Sequence, residues 1–307
     1  MKILVTGGAG FIGSHLVDTL LADGRQVVVL DNFSTGKRNN LPQDHPALSV
    51  IDGDIRDLST VDAATAGVDA IVHLAAVASV QASIADPVAT HQVNLVGTLN
   101  LLQAAREHHV RRFVYASSAA VYGDTAQLPI DEDEPPAPLT PYAADKLAGE
   151  HYCDFYGRQF GLEPVVFRFF NIFGPRQDPT SPYSGVISIF LKQAMDRRSM
   201  TVFGDGEQSR DFVYVDDLVR LLTDAITARK PPVQPVNVGN GHQTSLNELL
   251  QMIGDFAGAP LVIRYDSPRA GDIRHSCADN QRICQQLNYH SRHSIAEGLR
   301  TTFAWMK

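Results

Sequence analysis

Lys2-Ile3-Leu4-Val5-Thr6-Gly7-Gly8-Ala9-Gly10-Phe11-Ile12-Gly13 opens the chain with an apolar run and a glycine turn, and residues 14–23 continue with helically spaced apolar side chains. Strand, glycine turn and helix in that order suit a dinucleotide pyrophosphate. Gly7 and Gly10 let the backbone turn tightly and approach phosphates, and Gly13 lets the helix pack close on the strand. The helix start adds free amides and the positive end of its dipole. A glycine-rich turn alone often does no more than start a helix, so its neighbours decide. The next apolar run, 26–30, ends in Asp31 and Asn32, about where a carboxylate accepts the adenosine ribose hydroxyls and repels a 2'-phosphate. That favours NAD over NADP, with Lys37 and Arg38 close behind as the features that oppose it.

The alternation continues outward. Residues 48–51 read as a third strand ending at Asp52-Gly53-Asp54-Ile55, and 70–74 as a fourth ending at His73-Leu74-Ala75-Ala76. In an open parallel sheet, ligands sit beyond the carboxyl ends of the strands. Asp54 and Ile55 then flank adenine, or Asp54 caps a helix near Leu58. Leu74, Ala75 and Ala76 line the ribose and pyrophosphate, or only pack. A long helix over 87–107 carries Asn94, and a fifth strand over 112–116 delivers Ser117 and Ser118 to the same edge.

Thr140-Pro141-Tyr142-Ala143-Ala144-Asp145-Lys146 reads as a helix start. Thr140 suits the N-cap and Pro141 the first helical position, so Tyr142 and Lys146 fall four apart on one face. A tyrosine titrates near pH ~10, so a tyrosine base at neutral pH needs its phenolate favoured by roughly 4 kcal/mol, and a nearby ammonium is one source of that. In isolation such a pair is an ordinary solvated helix face. Its placement at the dinucleotide edge, with Ser118, changes the reading: a hydroxyl there can hold a substrate alcohol against the base and pass its proton, where otherwise it would only form a turn. The intervening segment, with Asp131-Glu132-Asp133-Glu134-Pro135-Pro136, reads as a solvated loop without chemistry. A sixth strand over 163–169 leads into Phe170-Asn171-Ile172-Phe173-Gly174-Pro175-Arg176, where proline and glycine thicken and a second domain begins.

Composition narrows the class. The chain has 307 residues, 44% hydrophobic and 20% charged, enough for a large core and a soluble globular protein of a nucleotide domain plus a smaller one. Its net charge of -8 is spread without a basic block, which argues against nucleic-acid and membrane-surface binding. Cys153, Cys277 and Cys284 are too few and scattered for a disulfide framework or a zinc site, so no metal is expected. Free thiols, the absence of a signal-peptide pattern and of a membrane-length apolar run make the cytoplasm the expected location.

In order and spacing these motifs resemble the extended short-chain dehydrogenase/reductase family, in particular its NAD-dependent nucleotide-sugar epimerases, over essentially the whole chain. The most specific pieces are residues 6–13, Ser118 with Tyr142 and Lys146, Asn171 in its turn, Ser209-Arg210-Asp211-Phe212 before Tyr214-Val215-Asp216-Asp217, and Arg269-Ala270-Gly271-Asp272. The resemblance implies an α/β architecture, with a Rossmann-type doubly wound parallel sheet holding NAD over 1–172. A smaller α/β domain over 173–307 would grip a UDP-sugar, with 213–239 returning to the first domain. A homodimer through a four-helix bundle is implied, from helices near 87–108 and 142–160.

Implied NAD contacts are Gly7, Gly10, Phe11, Ile12, Gly13, Asp31, Asn32, Asp54, Ile55, Leu74, Ala75, Ala76, Asn94, Tyr142, Lys146 and Phe170. Implied substrate contacts are Ser118, Tyr142, Asn171, Val186, Thr201, Phe203, Arg210, Arg269, Asp272 and Ser276, with Arg210 and Arg269 converging on a diphosphate. Dehydratases that resemble this chain generally carry an Asp-Glu pair where it has Ala119-Ala120, and alanine can be neither acid nor base. C4 epimerisation is therefore the implied activity, with Tyr142, its phenolate favoured by Lys146 and the positive nicotinamide, as the base. Ser276, four residues past Asp272, stands where a bulky tyrosine would exclude an N-acetyl group. The resemblance thus points to UDP-GlcNAc and UDP-GalNAc with the glucose pair also accepted; the alternatives are an epimerase of UDP-glucose only, or another NAD-dependent nucleotide-sugar oxidoreductase or dehydratase. Two positions depart from the family pattern: Asp145 where serine is common before the lysine, and Ser188 where proline is frequent.

Overall fold

The computed structural model describes residues 1–180, 185–268 and 273–307. Its first half alternates strand and helix: β1 (Lys2–Thr6), α1 (Phe11–Ala22), β2 (Gln26–Asp31), β3 (Leu48–Asp52), α2 (Leu58–Thr65), β4 (Ala70–His73), α3 (Val80–Ala85), α4 (Pro87–His91), α5 (Gly97–Glu107), β5 (Arg112–Ser118), α6 (Pro141–Phe160) and β6 (Glu163–Phe169). The second half is more broken: β7 (Asn171–Phe173), α7 (Val186–Met195), β8 (Met200–Phe203), β9 (Ser209–Arg210), β10 (Phe212–Tyr214), α8 (Val215–Thr227), β11 (Val236–Val238), β12 (Thr244–Ser245), α9 (Leu246–Gly254), β13 (Ile263–Asp266), α10 (Gln281–Leu287) and α11 (Ile295–Met306).

Seven parallel strands form the main sheet in the order β11-β6-β5-β4-β1-β2-β3. Each central strand is apolar on both faces, as a sheet covered by helices on both sides requires. Ile3 and Val5 point to one side, where Leu16 and Leu20 of α1 meet Leu218 and Leu222 of α8. Leu4 points to the other, where Val61 of α2, Leu101 and Leu102 of α5 and Cys153 of α6 pack. The strand order reverses between β1 and β4, so their carboxyl ends open a crevice. The smaller pairings β7 with β10, β9 with β12 and β8 with β13 build the region beside it.

Several sequence expectations are corrected. α1 starts at Phe11, inside the glycine motif rather than at Ser14. The helix expected over 87–107 is interrupted by a π turn at Gln92–Val96. The acidic segment before α6 is more than a solvated loop. Ile130 is buried and bridges Ala278, and Glu132 accepts the Asn237 amide at 2.9 Å and faces Arg282. Ala278, Asn237 and Arg282 each lie more than a hundred residues away, so local composition gives no sign of them.

Candidate active site

A cleft of about 530 Å³ runs along the carboxyl edge of the sheet, within the size range of cofactor sites. At its base, β1 turns into α1. Gly7 has φ 69, and a Cβ there would lie 2.8 Å from the Ala75 nitrogen, so the loop after β4 presses directly on the glycine turn. A Cβ on Gly13 would strike the Gly7 carbonyl oxygen. Gly10 begins α1 without a side-chain cap, leaving the first-turn amides at Phe11, Ile12 and Gly13, which have no intrahelical acceptor, at the cleft. A bare helix start with no Cβ in the way fits a pyrophosphate.

Beyond the turn, Asp31 sits at the cleft, buried, with one carboxylate oxygen on the Ala9 amide at 2.9 Å and the other on Phe33 at 2.8 Å. The two cations that follow are both engaged. Lys37 pairs with Asp178 at 3.2 Å, and Arg38 pairs with Asp52 at 2.6 Å and stacks over Phe33. Asn32 donates to Asp54 at 2.8 Å, and Arg56 holds the same carboxylate, keeping its pKa down at about 2. Asp57, not Asp54, caps α2. Ile55, Leu74, Ala75 and Ala76 line the cleft as well.

Asn94 does not reach the cleft lining. Its carboxamide takes both backbone groups of Val77, at 2.8 and 3.1 Å, and so fixes the loop that does. Behind it, Thr98 donates to the Asn94 carbonyl at 2.6 Å, and the buried His73 ring spans Thr98 at 2.9 Å and Thr6 at 2.8 Å. Burial, with Lys146 adding to it, drives His73 down to about 3. The ring is neutral, its Nε2 donating to Thr98 and its Nδ1 accepting from Thr6.

At the far end α6 presents Tyr142 and Lys146, with Thr140 capping the Ala143 amide and Pro141 in the first turn. Ser118, Tyr142 and Lys146 line the cleft together with Phe170, Asn171 and Val186. Lys146 Nζ donates to the Ala116 carbonyl at 2.6 Å and stands 5.1 Å from the Tyr115 ring and 5.9 Å from the Tyr142 ring. Burial lowers Lys146 to about 8, opposed by Cys153, Asp145 and Glu150. Burial also raises Tyr142, opposed by a hydrogen bond from Ser118.

The remaining substrate candidates among the described residues lie outside the cleft lining. Thr201 is exposed on β8 and Phe203 half-buried at its end. Arg210 on β9 donates to the Ser209 carbonyl at 2.8 Å. Ser276, half-buried, bonds through its amide to the Ser209 carbonyl at 3.1 Å. Arg269 and Asp272 fall outside the described residues. The cleft also takes in residues the motifs did not single out, among them Ser34, Thr35, Val77 and Gln177. No local pattern announces them; only the folding of their loops over the sheet edge brings them there.

A switch-point crevice that joins a bare helix start to a serine, a tyrosine and a lysine defines a dinucleotide-dependent protein of the short-chain dehydrogenase/reductase type. The sequence model of the NAD dependent epimerase/dehydratase family matches residues 3–239, and the chain belongs to that family. It is 41% identical to a UDP-glucose 4-epimerase of Mycolicibacterium smegmatis, over 100% of this chain and 99% of that protein. Among solved structures, it resembles UDP-N-acetylglucosamine 4-epimerase from Methanobrevibacter ruminantium in complex with UDP-N-acetylmuramic acid. That match has a TM-score of 0.95 and 36% identity over 99% of this chain and 97% of the other. It also resembles the Thermus thermophilus UDP-glucose 4-epimerase in complex with NAD, at TM-score 0.91 and 38% identity over 99% and 98% of the two chains.

Proposed function

We propose that the protein interconverts C4 epimers of a UDP-hexose by transient oxidation to a 4-keto sugar. The observation that carries this reading is the meeting of Ser118, Tyr142 and Lys146 at one end of the cleft, with Ala119 and Ala120 beside Ser118 where a dehydratase needs an acid and a base. Relatives named as UDP-sugar 4-epimerases support it.

Tyr142 takes the proton of the sugar 4-hydroxyl, directly or through Ser118, and later returns it. Lys146, fixed by the Ala116 carbonyl, favours the phenolate together with the positive charge of the nicotinamide when NAD is bound. NAD, when bound, supplies the hydride chemistry at C4 that no side chain here can perform. The uncapped start of α1, Asp31, and the Asn32 and Asp54 pair would hold it. Arg210 and Arg269 are the proposed diphosphate clamp, with Asn171 a further donor, Val186, Thr201 and Phe203 walls, and Asp272 a clamp-loop residue.

Within this reading we assign UDP-GlcNAc and UDP-GalNAc as substrates and the glucose pair as additional ones. The small Ser276 side chain beside β9 supports room for an acetamido group. Ser276→Tyr should abolish turnover of the N-acetylated pair and leave the glucose pair; parent-rate epimerisation of UDP-GlcNAc by that variant would refute the assignment. Pairing of α4, α5 and α6 with a second copy supplies the proposed four-helix bundle. The half-exposed Tyr152 and Phe155 on α6 and exposed Val88 on α4 support it.

The catalytic assignment is tested by Tyr142→Phe, which deletes one oxygen. Folding and NAD content should stay near those of the parent while turnover falls ~10²–10⁴-fold, the usual weight of a general base. Activity within about tenfold of the parent would contradict it.

A further inference from the structure

Lys146 is a buried ammonium, 4% exposed, and burying a charge is costly unless something answers it. Its Nζ donates to the Ala116 carbonyl of β5 at 2.6 Å. The carboxylates of its own helix are committed elsewhere: Asp145 to His91 of α4 at 2.8 Å, Asp154 to Arg158, and Glu150 to Arg168 of β6 at 2.7 Å and to Ser117 of β5. Among the described residues no carboxylate pairs with Lys146. Burial holds Cys153 of α6 as a thiol, and His73 of β4 is neutral. Tyr122 takes Arg168, and Arg112 and Glu163 pair at the opposite end of β5 and β6. Arg106 of α5 lies over Phe160 at the far end of α6, and Glu107 bonds Gln103. α3 and the π turn at Gln92–Val96, both packed on α6, carry no ionisable side chain.

What β5 offers instead is a ring. Tyr115 precedes Ala116 on the strand, is wholly buried, and has the Lys146 Nζ over its face at 5.1 Å from the centroid. The Tyr142 ring is farther away, at 5.9 Å. A cation over an aromatic face is held by the ring quadrupole, most strongly where water is excluded. The ring is locked in place. A Cβ on Gly149 of α6 would strike its hydroxyl, so glycine opens the slot it fills, and the His73 ring packs beside it at 5.8 Å. Consecutive residues of one strand therefore supply both contacts to the ammonium, a ring face and a carbonyl.

We infer that Tyr115 is a positioning residue for the reaction: its buried ring, with the Ala116 carbonyl, seats the charged Lys146 ammonium beside Tyr142. This rests on the proposed roles of Tyr142 and Lys146. A ring that only fills space serves equally well with its quadrupole weakened; a ring that holds charge does not. Lys146 acts while protonated, so activity is lost as pH rises through its pKa of about 8. Weakening the seat disfavours the charged form and moves the alkaline limb of the pH profile toward acid.

The test replaces Tyr115, in the full protein, by phenylalanine and by phenylalanines carrying progressively more ring fluorines, which draw electron density from the face at nearly constant shape. Urea unfolding and NAD content confirm the fold. Two readouts run in parallel: NMR titration of the Lys146 Cε in protein with isotope-labelled lysine, assigned by Lys146→Met, and the pH dependence of kcat. Tyr115→Phe should stay near the parent in both. Along the fluorine series the Lys146 pKa should fall stepwise, by about half a pH unit or more in all, with the alkaline limb following. Tyr115→Leu, which removes the face, should fall at least as far. An unmoved Lys146 pKa across the folded series means packing only and overturns the inference. A falling pKa with an unmoved alkaline limb upholds the seat and contradicts the catalytic role proposed for Lys146 instead.

Discussion

Asp31 links the cofactor site to the fold through single atoms. Each carboxylate oxygen takes a backbone amide, Ala9 in the glycine turn and Phe33 in the following loop, and a Cβ on Gly36 would lie 2.9 Å from it. Asp31→Asn turns one acceptor into a donor facing an amide, so it should cost about 1–3 kcal/mol of stability and weaken NAD binding, read by urea unfolding and NAD titration. Parent-like values in both would remove Asp31 from the site. With Lys37 and Arg38 bound to Asp178 and Asp52, NADP should bind more weakly than NAD. That Ser118, Tyr142, Lys146 and the glycines come to one cleft was legible in the sequence, from the glycine spacing, the four-residue spacing on α6 and the strand end that carries Ser118. The partnership of His91 with Asp145, 54 residues apart, and the internal engagement of Asn94 were not, because both depend on which loops and helices meet.

α6 is tied to the sheet by one buried ion pair, Glu150 with Arg168. The same carboxylate bonds Ser117, the neighbour of Ser118. This strut fixes the helix carrying Tyr142 and Lys146 against the strand carrying Ser118. Glu150→Gln strands the buried Arg168 charge and should destabilise the protein by about 3–5 kcal/mol. Removing the exposed pair of Arg158 and Asp154 on the same helix should cost no more than about 0.5 kcal/mol. Equal losses in denaturant unfolding would contradict the strut. The strands of the main sheet were readable from apolar runs, and α6 from Thr140 and Pro141. The π turn was not, since one extra residue in a helical turn leaves the apolar pattern almost unchanged.

Regular alternation of strand and helix is what made the seven-stranded sheet legible, because each parallel crossover is local and the connections follow one hand. The region beyond Phe173 was less so. Its strands are two to four residues long and pair with partners distant in sequence, such as β9 with β12 and β8 with β13. Assembly belongs to this level too. A dimer through α6 should appear as a single two-copy species in sedimentation velocity, and Phe155→Glu should convert it to monomers; a parent that sediments as a monomer would rule the bundle out. The most direct measurement is NMR of UDP-GlcNAc and of UDP-glucose incubated with the purified protein and no added dinucleotide. The Ser118, Tyr142 and Lys146 site should yield the C4 epimer of each accepted sugar, with total hexose conserved and no net NADH formed. Loss of water from the sugar, or its stoichiometric oxidation, would contradict it.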